Sequence, residues 1–364
     1  MKRLLCIVGG MNAGGAETFL MKIYRNLDKS KYQMDFAVAV QEEGFYDKEI
    51  ANMGGKIYHI TPKSKGVIKN LKDISNIVKK NNYVYVLRTS QHSLSALELY
   101  AAKVGGAKVR VFRSSNSNTT TGSKKELILH SICRFMPMLF ANIRIAPSTE
   151  AAEFMFGNNC IVKGRAKIIH NAVDIDAYKF DNEVRKQVRK ELEIENCFVW
   201  GHVGRFNQQK NHKFLIDQFY EFCIENPDSK LVLVGKGELE NDVRTQVDKY
   251  GISDKVLFLG VRNDVTRLLC AFDVFVFPSL YEGMPNTVIE AQATGLPCVI
   301  SDKITREVKI TEEVEFLSLN NTAAWGECVN DKRNKKRNSV KEQFITNRYD
   351  IESTVQDFIK TVFR

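Results

Sequence analysis

The chain has 364 residues, of which 44% are hydrophobic and 26% charged, and its formal net charge is +10 at pH 7. This length and composition exclude a disordered or fibrous protein and fit two globular domains of ordinary size. No run of about 18 apolar residues occurs, so the sequence predicts no transmembrane helix. The eight cysteines show no zinc-ligand spacing and suit a reducing, cytoplasmic compartment.

The first half alternates short apolar runs with amphipathic segments, which is the pattern of parallel strands joined by helices. Helical patterns cover residues 15–27 and 67–80. The basic start of the chain fits a first strand better than a signal peptide, because glycines and a helical pattern follow it. The strand candidates are, in chain order, LLCIVG, YQMDFAVAV, KIYHI, YVYVLR, KVRVFR and NIRIAP.

The second half restarts this alternation at FVWGHVG, residues 198–204, after a charged segment at residues 181–195. The charged segment reads as a surface helix or linker. We therefore predict a domain boundary near residue 180, with domains at residues 1–180 and 181–348. A final helical pattern at residues 351–363 follows a long irregular stretch.

Charge is distributed unevenly along the chain. Residues 1–181 carry 27 Lys and Arg against 15 Asp and Glu, a net charge of +12, whereas residues 182–364 carry 26 against 28, a net charge of −2. This asymmetry indicates an anionic partner for the first half. Nucleic acid is disfavoured as that partner, because no aromatic stacking pattern accompanies the charge.

One basic and apolar segment, residues 123–144, has two interpretations. It reads either as an ordinary surface helix with one buried face, which we favour, or as a helix that lies on an anionic bilayer surface. The basic run KRNKKR, residues 332–337, reads as a solvated loop.

Two glutamates, Glu282 and Glu290, lie eight positions apart between two apolar runs that read as buried strands. Pro285 suits the first turn of a helix, and Gly295 suits the left-handed position that closes one. The N–H groups at such a helix start attract a phosphate without a metal, and Glu290 would point back toward groups attached to it. The alternative interpretation is a solvent-facing Glu290 and a cap-region Glu282.

Arg205 and Lys210 follow a predicted strand that ends at Gly204, and ligands bind at this edge of open α/β sheets. An Arg fork and a Lys point charge suit a nucleotide diphosphate, although two exposed basic loop residues are the alternative. Asp174 and Asp176 form a D-x-D sequence, which elsewhere binds divalent cations. Here it reads as turn chemistry, and we predict no metal.

Six segments resemble those of the retaining glycosyltransferases of family 4, and they follow one another along the chain in that family's order. The stretch around Glu282 and Glu290 resembles the family's E-x7-E signature. The resemblance covers nearly the whole chain. It is strongest to the branch of the family that builds capsular polysaccharides and exopolysaccharides. The other segments are GGMNAGGAE (9–17), IIHNAVD (168–174), VGRFNQQKNH (203–212), LVLVGKGEL (231–239) and VLFLGVRNDV (256–265).

The resemblance implies an α/β protein of GT-B fold, in which two Rossmann-like, doubly wound parallel-sheet domains face each other across a cleft. The first domain, residues 1–180, would bind the acceptor, and residues 181–348 would bind the nucleotide-sugar donor. A C-terminal helix at residues 349–364 would pack back on the first domain.

The resemblance also implies site residues. Glu282, Arg205 and Lys210 would be catalytic, Glu290 would bind the ribose, and no metal or other cofactor would be needed. The remaining donor-binding candidates are Gly14, Gly15, Gly204, Gly235, Gly237, Val261, Arg262, Gly283, Met284, Asn286 and Thr287.

The first domain departs from the family pattern, which usually has histidines at the ends of the fourth and fifth strands. These strands here read VLRTSQHS (86–93) and VRVFRSSNSN (109–118). Arg88, His92 and Arg113 are therefore the candidates for the acceptor side.

These features together predict transfer of a hexosyl group, with retention, from a nucleotide sugar to a growing, lipid-linked glycan in bacterial surface polysaccharide synthesis. A UDP-sugar is favoured and a GDP-sugar comes second. We expect a cytoplasmic protein at the inner face of the membrane, in peripheral contact with anionic lipid. The alternative is a non-catalytic nucleotide-sugar-binding subunit or scaffold. A dehydrogenase or an epimerase is disfavoured because G-x-G-x-x-G is absent.

Overall fold

A computed structural model describes residues 1–12, 14–115 and 124–364. Residues 116–118 of the predicted fifth-strand segment and Ser123 of the predicted basic helix therefore lie outside the described residues, as does Ala13 in the glycine loop. The described chain divides into two domains, and each is considered by itself. One comprises Met1–Ala172 with Ile351–Arg364, and the other comprises Val173–Asp350.

The division falls between Ala172 and Val173 rather than near residue 180, where the sequence placed it. Val173 and Ile175 are buried in the core of the second domain, and the Val173 N–H donates to the Tyr349 carbonyl at 3.1 Å. The segment before the charged helix thus belongs to the second domain, because its apolar side chains are buried there.

Within the described residues, the first domain holds a seven-stranded parallel sheet in the order β3-β2-β1-β4-β5-β6-β7. The strands are β1 (Lys2–Val8), β2 (Tyr32–Val38), β3 (Ile57–His59), β4 (Tyr85–Ser90), β5 (Val109–Ser114), β6 (Ile143–Ala146) and β7 (Lys167–Ile168). The helices are α1 (Gly15–Asn26), α2 (Asp47–Asn52), α3 (Val67–Asn81), α4 (Leu97–Val104), α5 (Lys124–Cys133), α6 (Met136–Phe140) and α7 (Thr149–Phe156), with 3-10 turns at Lys63–Lys65 and Ser93–Ala96.

The second domain holds a six-stranded parallel sheet among the described residues, in the order β10-β9-β8-β11-β12-β13. Its strands are β8 (Phe198–Val203), β9 (Ser229–Val234), β10 (Val256–Phe258), β11 (Val274–Phe277), β12 (Cys298–Ser301) and β13 (Val314–Leu317). Its helices are α8 (Asn182–Glu191), α9 (His212–Glu225), α10 (Glu240–Lys249), α11 (Val265–Ala271), α12 (Asn286–Ala293), α13 (Ala323–Asn330) and α14 (Lys341–Thr346), with 3-10 turns at Gln208–Lys210, Ser253–Lys255 and Arg306–Val308.

Both faces of each sheet are buried, which explains the near-continuous apolar runs in the sequence. In β1, Leu4 and Cys6 belong to one core cluster, whereas Leu5 and Ile7 belong to the cluster on the other face. The strands of the second sheet alternate in the same way between two clusters. Two doubly wound parallel-sheet domains are therefore confirmed.

The last helix, α15 (Ile351–Val362), belongs to the first domain. Its Phe358 is fully buried and meets Phe19 of α1 edge-to-face, with ring centroids 6.4 Å apart. The helix begins at Ile351, where the helical pattern in the sequence begins. Tyr349 and Asp350, which the resemblance to the family included with it, belong to the second domain.

Residues 124–144 do not form the single helix that the sequence suggested. They form α5 and α6, with Pro137 in the first turn of α6, and Arg144 lies in β6. Among the described residues, no helix has the length and apolar character needed to cross a membrane.

The basic run at residues 332–337 is a loop, as predicted, but only residues 334–336 are exposed to solvent. Arg337 donates to the carbonyl of Phe272 and lies 4.6 Å from the ring centroid of Phe180. Arg333 pairs with Asp228 at 2.9 Å. The run is therefore held against the second domain, which the charge pattern alone did not indicate.

Candidate functional site

The strand, loop, helix and strand predicted around the two glutamates are present as β11, a loop, α12 and β12. Pro285 precedes the helix in an extended conformation, with φ −77° and ψ 109°, so it is not in the first turn as predicted. Gly295 follows the helix with φ +67°, the left-handed conformation expected of it. Glu282 lies in the loop, and Glu290 lies in the fifth position of α12.

Glu290 is only 7% exposed, which excludes the interpretation of a solvent-facing residue. Its helix is fixed by a buried side chain two residues later. The Oε1 atom of Gln292 accepts hydrogen bonds from the N–H groups of Ile310 and Thr311, both at 3.0 Å, and its Nε2 donates to Val308 at 2.8 Å. A carboxylate on a helix held this firmly is preorganised for a ligand.

Lys210 and Glu282 form an ion pair, with Nζ and Oε1 2.6 Å apart. Their side chains are only 15% and 10% exposed, and the Lys210 ammonium lies 4.5 Å from the ring centroid of Phe277. Shielding from water strengthens the attraction within the pair. The second domain thus presents a fixed cation and a fixed anion side by side.

These two residues are 72 positions apart, and sheet topology brings them together. Strand order reverses at β8, whose neighbours are β9 and β11. Loops at the carboxyl ends of β8 and β11 therefore adjoin, and this is the position where open α/β sheets bind ligands. Lys210 follows β8, and Glu282 follows β11.

The two loops are joined by Gln209, which sequence reasoning missed. Its Nε2 donates to the carbonyl of Tyr281 at 2.8 Å, and its own carbonyl accepts from the N–H of Leu280 at 2.8 Å. Asn207 caps the short turn that carries Lys210 by accepting from its N–H at 3.2 Å. Its place between Arg205 and Lys210 in the segment VGRFNQQKNH (203–212) was the only sequence signal for Gln209.

The glycines of the second domain allow close backbone approach. An added Cβ at Gly235, where φ is +139°, would lie 2.0 Å from the Gly204 carbonyl oxygen, and one at Gly237 would lie 2.3 Å from that of Phe206. The Gly235 N–H donates to the Gly260 carbonyl at 2.8 Å. The ends of β8, β9 and β10 are thus tied together. Each end lies in one of the segments that resemble the family, residues 203–212, 231–239 and 256–265.

Arg205 and the predicted base-binding residues are more open. The Arg205 side chain is 69% exposed and pairs with Glu238 at 3.1 Å, an arrangement that water screens strongly. Val261 is 61% exposed, and Arg262 pairs with Asp264 at 2.7 Å. These side chains can re-orient at little cost when a ligand arrives.

The segment between Glu282 and α12 is buried in the second domain. Gly283 and Met284 are buried, and the Tyr349 hydroxyl lies 3.9 Å from the Met284 sulfur. Asn286 and Thr287 form the first turn of α12. The Thr287 hydroxyl oxygen is buried without a hydrogen-bond partner among the described residues.

Two buried histidines lie beneath Lys210. His202 donates from Nδ1 to the Val276 carbonyl at 2.9 Å, and His212 stacks on Phe206 at 4.1 Å between ring centroids. Burial, together with the nearby Lys210 charge, lowers the pKa of His202 to about 4 and the pKa of His212 to about 2. Both rings are therefore neutral at pH 7.

In the first domain, Gly14 and Gly15 lie where the glycine loop enters α1. An added Cβ at Gly14 would lie 2.4 Å from a carboxylate oxygen of Glu17, so this carboxylate folds back over the loop. Burial raises the pKa of Glu17, whereas the charges of Arg88 and Arg113 lower it. The loop thus adjoins the two arginines proposed for the acceptor.

Arg88 is engaged within the first domain. It pairs with the buried carboxylate of Glu98, which also pairs with Lys63 at 3.0 Å. Arg88 further donates to the Ile7 and Thr89 carbonyls at 3.0 and 2.8 Å. No sequence pattern signalled Glu98, since it lies within an ordinary helical segment.

The structure does not support a direct acceptor contact by Arg113. The residue is 1% exposed, donates to Asn171 at 2.7 Å, and its guanidinium carbon lies 3.9 Å from the ring centroid of Phe19. Burial lowers its pKa to about 9. The side chain points into the domain rather than into solvent, which sequence alone could not show.

His92 lies just beyond β4, and its N–H donates to the Ser90 hydroxyl at 3.0 Å. The ring is partly exposed, and burial is the main cause that lowers its pKa. It is therefore the predicted acceptor-side residue that remains accessible. Of the D-x-D aspartates, Asp174 makes a turn contact by accepting from the Ala177 N–H at 3.1 Å, whereas Asp176 pairs with the distant Lys341 at 2.7 Å.

Two parallel-sheet domains of this topology have the GT-B fold. The crystal structure of Anabaena Alr3699/HepE in complex with UDP-glucose matches the model with a TM-score of 0.81 at 19% identity over all of both chains. That of WaaG, a glycosyltransferase involved in lipopolysaccharide biosynthesis, matches with a TM-score of 0.73 at 13% identity, over 99% of this chain and 95% of WaaG. At these identities the likeness shows the fold alone.

The chain belongs to the group 1 glycosyl transferases. Residues 197–331 match that family's model, and the chain is 31% identical over 362 residues to EpsF of Bacillus subtilis strain 168, a provisionally named glycosyltransferase, covering 97% of this chain and 94% of EpsF. It is also 27% identical over 314 residues to a Campylobacter jejuni N,N'-diacetylbacillosaminyl-diphospho-undecaprenol alpha-1,3-N-acetylgalactosaminyltransferase, covering 81% and 80%. A capsular polysaccharide glycosyltransferase of Staphylococcus aureus, CapH, is 24% identical over 319 residues, covering 86% and 84%.

Proposed function

We propose that this glycosyltransferase moves a hexosyl group from a nucleotide sugar to a lipid-linked glycan during bacterial surface polysaccharide synthesis. A UDP-sugar is the favoured donor and a GDP-sugar the second. The observation that carries the proposal is the shielded Lys210–Glu282 pair at the switch point of the sheet, with the buried Glu290 eight positions further along the chain. Burying charged side chains costs free energy, and such buried charges are concentrated at functional sites, where they bind ligands or take part in the chemistry.

Each donor contact follows from the chemistry of one side chain. Lys210 and Arg205 would bind the diphosphate, since cations and oxyanions attract strongly in a shielded site. Glu290 would accept hydrogen bonds from the ribose diol, and Glu282 would orient the transferred sugar. The glycine turns at Gly235 and Gly237 would admit the nucleotide, and the loop at Val261 and Arg262 would meet the base.

Negative charge builds on the diphosphate as the glycosidic bond breaks. Fixed cations and the N–H groups at the start of α12 stabilise that charge more in the transition state than in the ground state. Resemblance to family 4 implies retention by attack on the face that the diphosphate leaves, with a departing phosphate oxygen taking the acceptor's proton. Under this scheme, no nucleophile is assigned to the protein.

The acceptor proposal draws on the relatives. An Escherichia coli protein named UDP-Gal:alpha-D-GlcNAc-diphosphoundecaprenol alpha-1,3-galactosyltransferase is 32% identical over 246 residues, covering 65% of this chain and 62% of that protein. A polyprenyl-diphosphate-linked glycan is therefore the proposed acceptor class, and the reaction would take place at the cytoplasmic face of the membrane. His92, with Arg88 behind it, is the proposed acceptor-side contact.

Donor binding is tested by a thermal-shift panel of UDP-, GDP- and ADP-sugars. A ligand that binds only the folded state raises the melting temperature by mass action, so one nucleotide should give a clear shift. Glu290→Ala should lose that shift, whereas Glu327→Ala, which removes an exposed carboxylate from α13, should keep it. A panel with no shift, or a Glu290→Ala variant that responds like the native chain, would contradict the donor site.

Metal independence is a separate part of the proposal. Transfer with the identified donor should continue after EDTA treatment, since Lys210, Arg205 and helix N–H groups provide the positive charge. Loss of activity on chelation, restored by Mg²⁺ or Mn²⁺, would overturn this part while leaving the donor assignment intact.

A second candidate function is a non-catalytic nucleotide-sugar-binding subunit. The observation that favours it lies in the first domain, where Arg113 is buried and Arg88 is paired with Glu98. Such a subunit would give the same thermal shift without transfer. Incubating the identified donor with polyprenyl-diphosphate-linked sugars and measuring released UDP separates the two functions.

A further inference from the structure

One side of α5 is anchored in the first domain by His130. Its ring accepts a hydrogen bond from the Ser93 N–H at 3.3 Å and meets the Phe154 carbonyl at 3.1 Å. The ring also stacks on that of Phe154 at 4.2 Å between centroids. These contacts fix the rotation of α5 about its axis.

The opposite side of α5 faces solvent and is apolar. Ile128 and Ile132 lie two positions either side of His130, so about 100° per residue places both nearly opposite it. Ile128, Ile132, Phe135 and Leu139 are between 57% and 65% exposed. Contiguous large apolar side chains are seldom left exposed to water. This face therefore indicates a surface that meets an apolar medium.

The start of α3 presents a second exposed apolar pair, Val67 at 47% and Ile68 at 73%. The 3-10 turn just before it, Lys63–Lys65, contacts the 3-10 turn at Ser93–Ala96, which also contacts α5. The Lys63 ammonium lies 3.4 Å from the Ser95 hydroxyl, and Ser93 of that turn bonds His130. We define the docking surface as Val67, Ile68, Ile128, Ile132, Phe135 and Leu139.

Lysines border this docking surface. Lys65, Lys69, Lys72 and Lys125 are all exposed, and none has an ion-pair partner within the part of the chain that the structure describes. They belong to a half of the sequence that carries a net charge of +12. Apolar side chains flanked by lysines are the composition of protein surfaces that insert into the headgroup region of anionic membranes.

We propose that this docking surface binds the first domain to an anionic lipid bilayer, with the six apolar side chains entering the headgroup and acyl boundary. The lysines favour an anionic lipid surface over a second copy of this chain. A second copy would bring four further lysines to the same interface, and like charges repel. The inference extends the proposed function, because a lipid-linked acceptor resides in such a membrane. Membrane binding itself requires neither donor nor acceptor.

The test is flotation of the full chain with two kinds of vesicle, one of phosphatidylcholine mixed with phosphatidylglycerol and one of phosphatidylcholine alone. Ile128→Ser combined with Ile132→Ser should weaken binding to the anionic vesicles by about tenfold or more, from the apolar area no longer buried. Ile224→Ser is the matched control, because Ile224 is an equally exposed apolar helix residue, at 61%, in the second domain.

Charge is tested with Lys69→Glu and Lys72→Glu, each of which should weaken binding by about fivefold or more, against Lys249→Glu in the second domain as control. Binding to both vesicle types alike, no binding by the native chain, or full binding by the double serine variant would overturn the proposal. A native dimer that the double serine variant converts to a monomer would also overturn it. The nucleotide-sugar thermal shift is read on the same samples, so failure of the membrane surface is distinguishable from failure of the donor site.

Discussion

At the scale of single residues, Lys210 is the side chain on which the proposed chemistry most depends. Its ammonium is held by Glu282 at 2.6 Å and lies over the Phe277 ring, so its position is set before a ligand arrives. Arg205, by contrast, is exposed and pairs with Glu238, an arrangement that water screens. The two cations thus differ in preorganisation, which their closeness in the sequence, with four residues between them, did not reveal.

Lys210→Met should lower kcat/KM with the identified donor by about 30-fold or more, the equivalent of about 2 kcal/mol of lost charge stabilisation in the transition state. Lys213→Met, three positions on and exposed, should leave kcat/KM unchanged and serves as the control. Melting temperatures of both variants are measured alongside, because Lys210→Met also leaves Glu282 unpaired. Native-like kcat/KM in a folded Lys210→Met protein would refute the diphosphate role.

The buried histidines predict how stability depends on pH. Burial depresses the pKa of His212 to about 2, so below pH about 6.5 the unfolded chain binds a proton that the folded chain does not. This residue's stabilising contribution is therefore complete above pH about 6.5 and should be lower by about 2 kcal/mol at pH 5.

His212→Phe tests this prediction, because both ring nitrogens of His212 lack hydrogen-bond partners among the described residues and the stack on Phe206 can be kept. Urea unfolding at pH 7 and pH 5 should show that the variant loses about 2 kcal/mol less than the native chain over that interval. The same pH dependence in both proteins would show that His212 is not buried in its neutral form.

At the scale of elements, the turn after β9 works through close backbone approach. A Cβ at Gly237 would lie 2.3 Å from the Phe206 carbonyl oxygen, so Gly237→Ala must displace the loop that also carries Arg205. We expect a loss of about 1–3 kcal/mol in stability and a smaller nucleotide-sugar thermal shift. Gly326→Ala is the control, since its nearest neighbouring atom is 3.9 Å away and alanine favours its helix. Equal behaviour of the two variants would contradict the close-approach explanation.

The same element scale explains why two predicted acceptor-side arginines are held by contacts within the first domain. Side chains alternate along a strand, and Arg113 of β5 points inward beside Phe19. Arg88 of β4 meets Glu98 of α4, a contact between elements that no local pattern encodes. His92 lies beyond the end of β4, so the packing of strand side chains does not bury it, and it stays accessible.

At the scale of the whole molecule, the chain returns at its end to the first domain through α15. Phe358→Ala removes a fully buried ring and should cost about 3–5 kcal/mol. Calorimetry is the suitable measurement, because two-domain proteins need not unfold in one step. The transition of the first domain should move to lower temperature, while the nucleotide-sugar shift of the second domain persists.

The control is Phe45→Ala, which removes a ring that is 59% exposed in the same domain and should change the transition little. If Phe358→Ala abolished the nucleotide-sugar shift in a protein whose second domain remained folded, the separation of the donor site from the first domain would be wrong.

The sequence by itself determined the two doubly wound domains and the local geometry around Glu282 and Glu290. Apolar runs of strand length specify buried parallel strands, and Gly295 ends α12 because a left-handed conformation there favours glycine. These features depend on residues that are close together in the chain, so they can be predicted from the local sequence. The boundary was misplaced because Val173 and Ile175 reveal their domain only through the core they enter.

Only the tertiary structure decided which distant groups meet and which faces are covered. Lys210 and Glu282 become partners because β8 and β11 are neighbours in the sheet, and Arg113 is excluded from the acceptor side because it is buried. The apolar face of α5 is exposed because His130 turns the opposite face inward. The spacing of apolar residues in the sequence predicts that a helix has an apolar face. The packing of the other elements decides whether that face contacts protein or solvent.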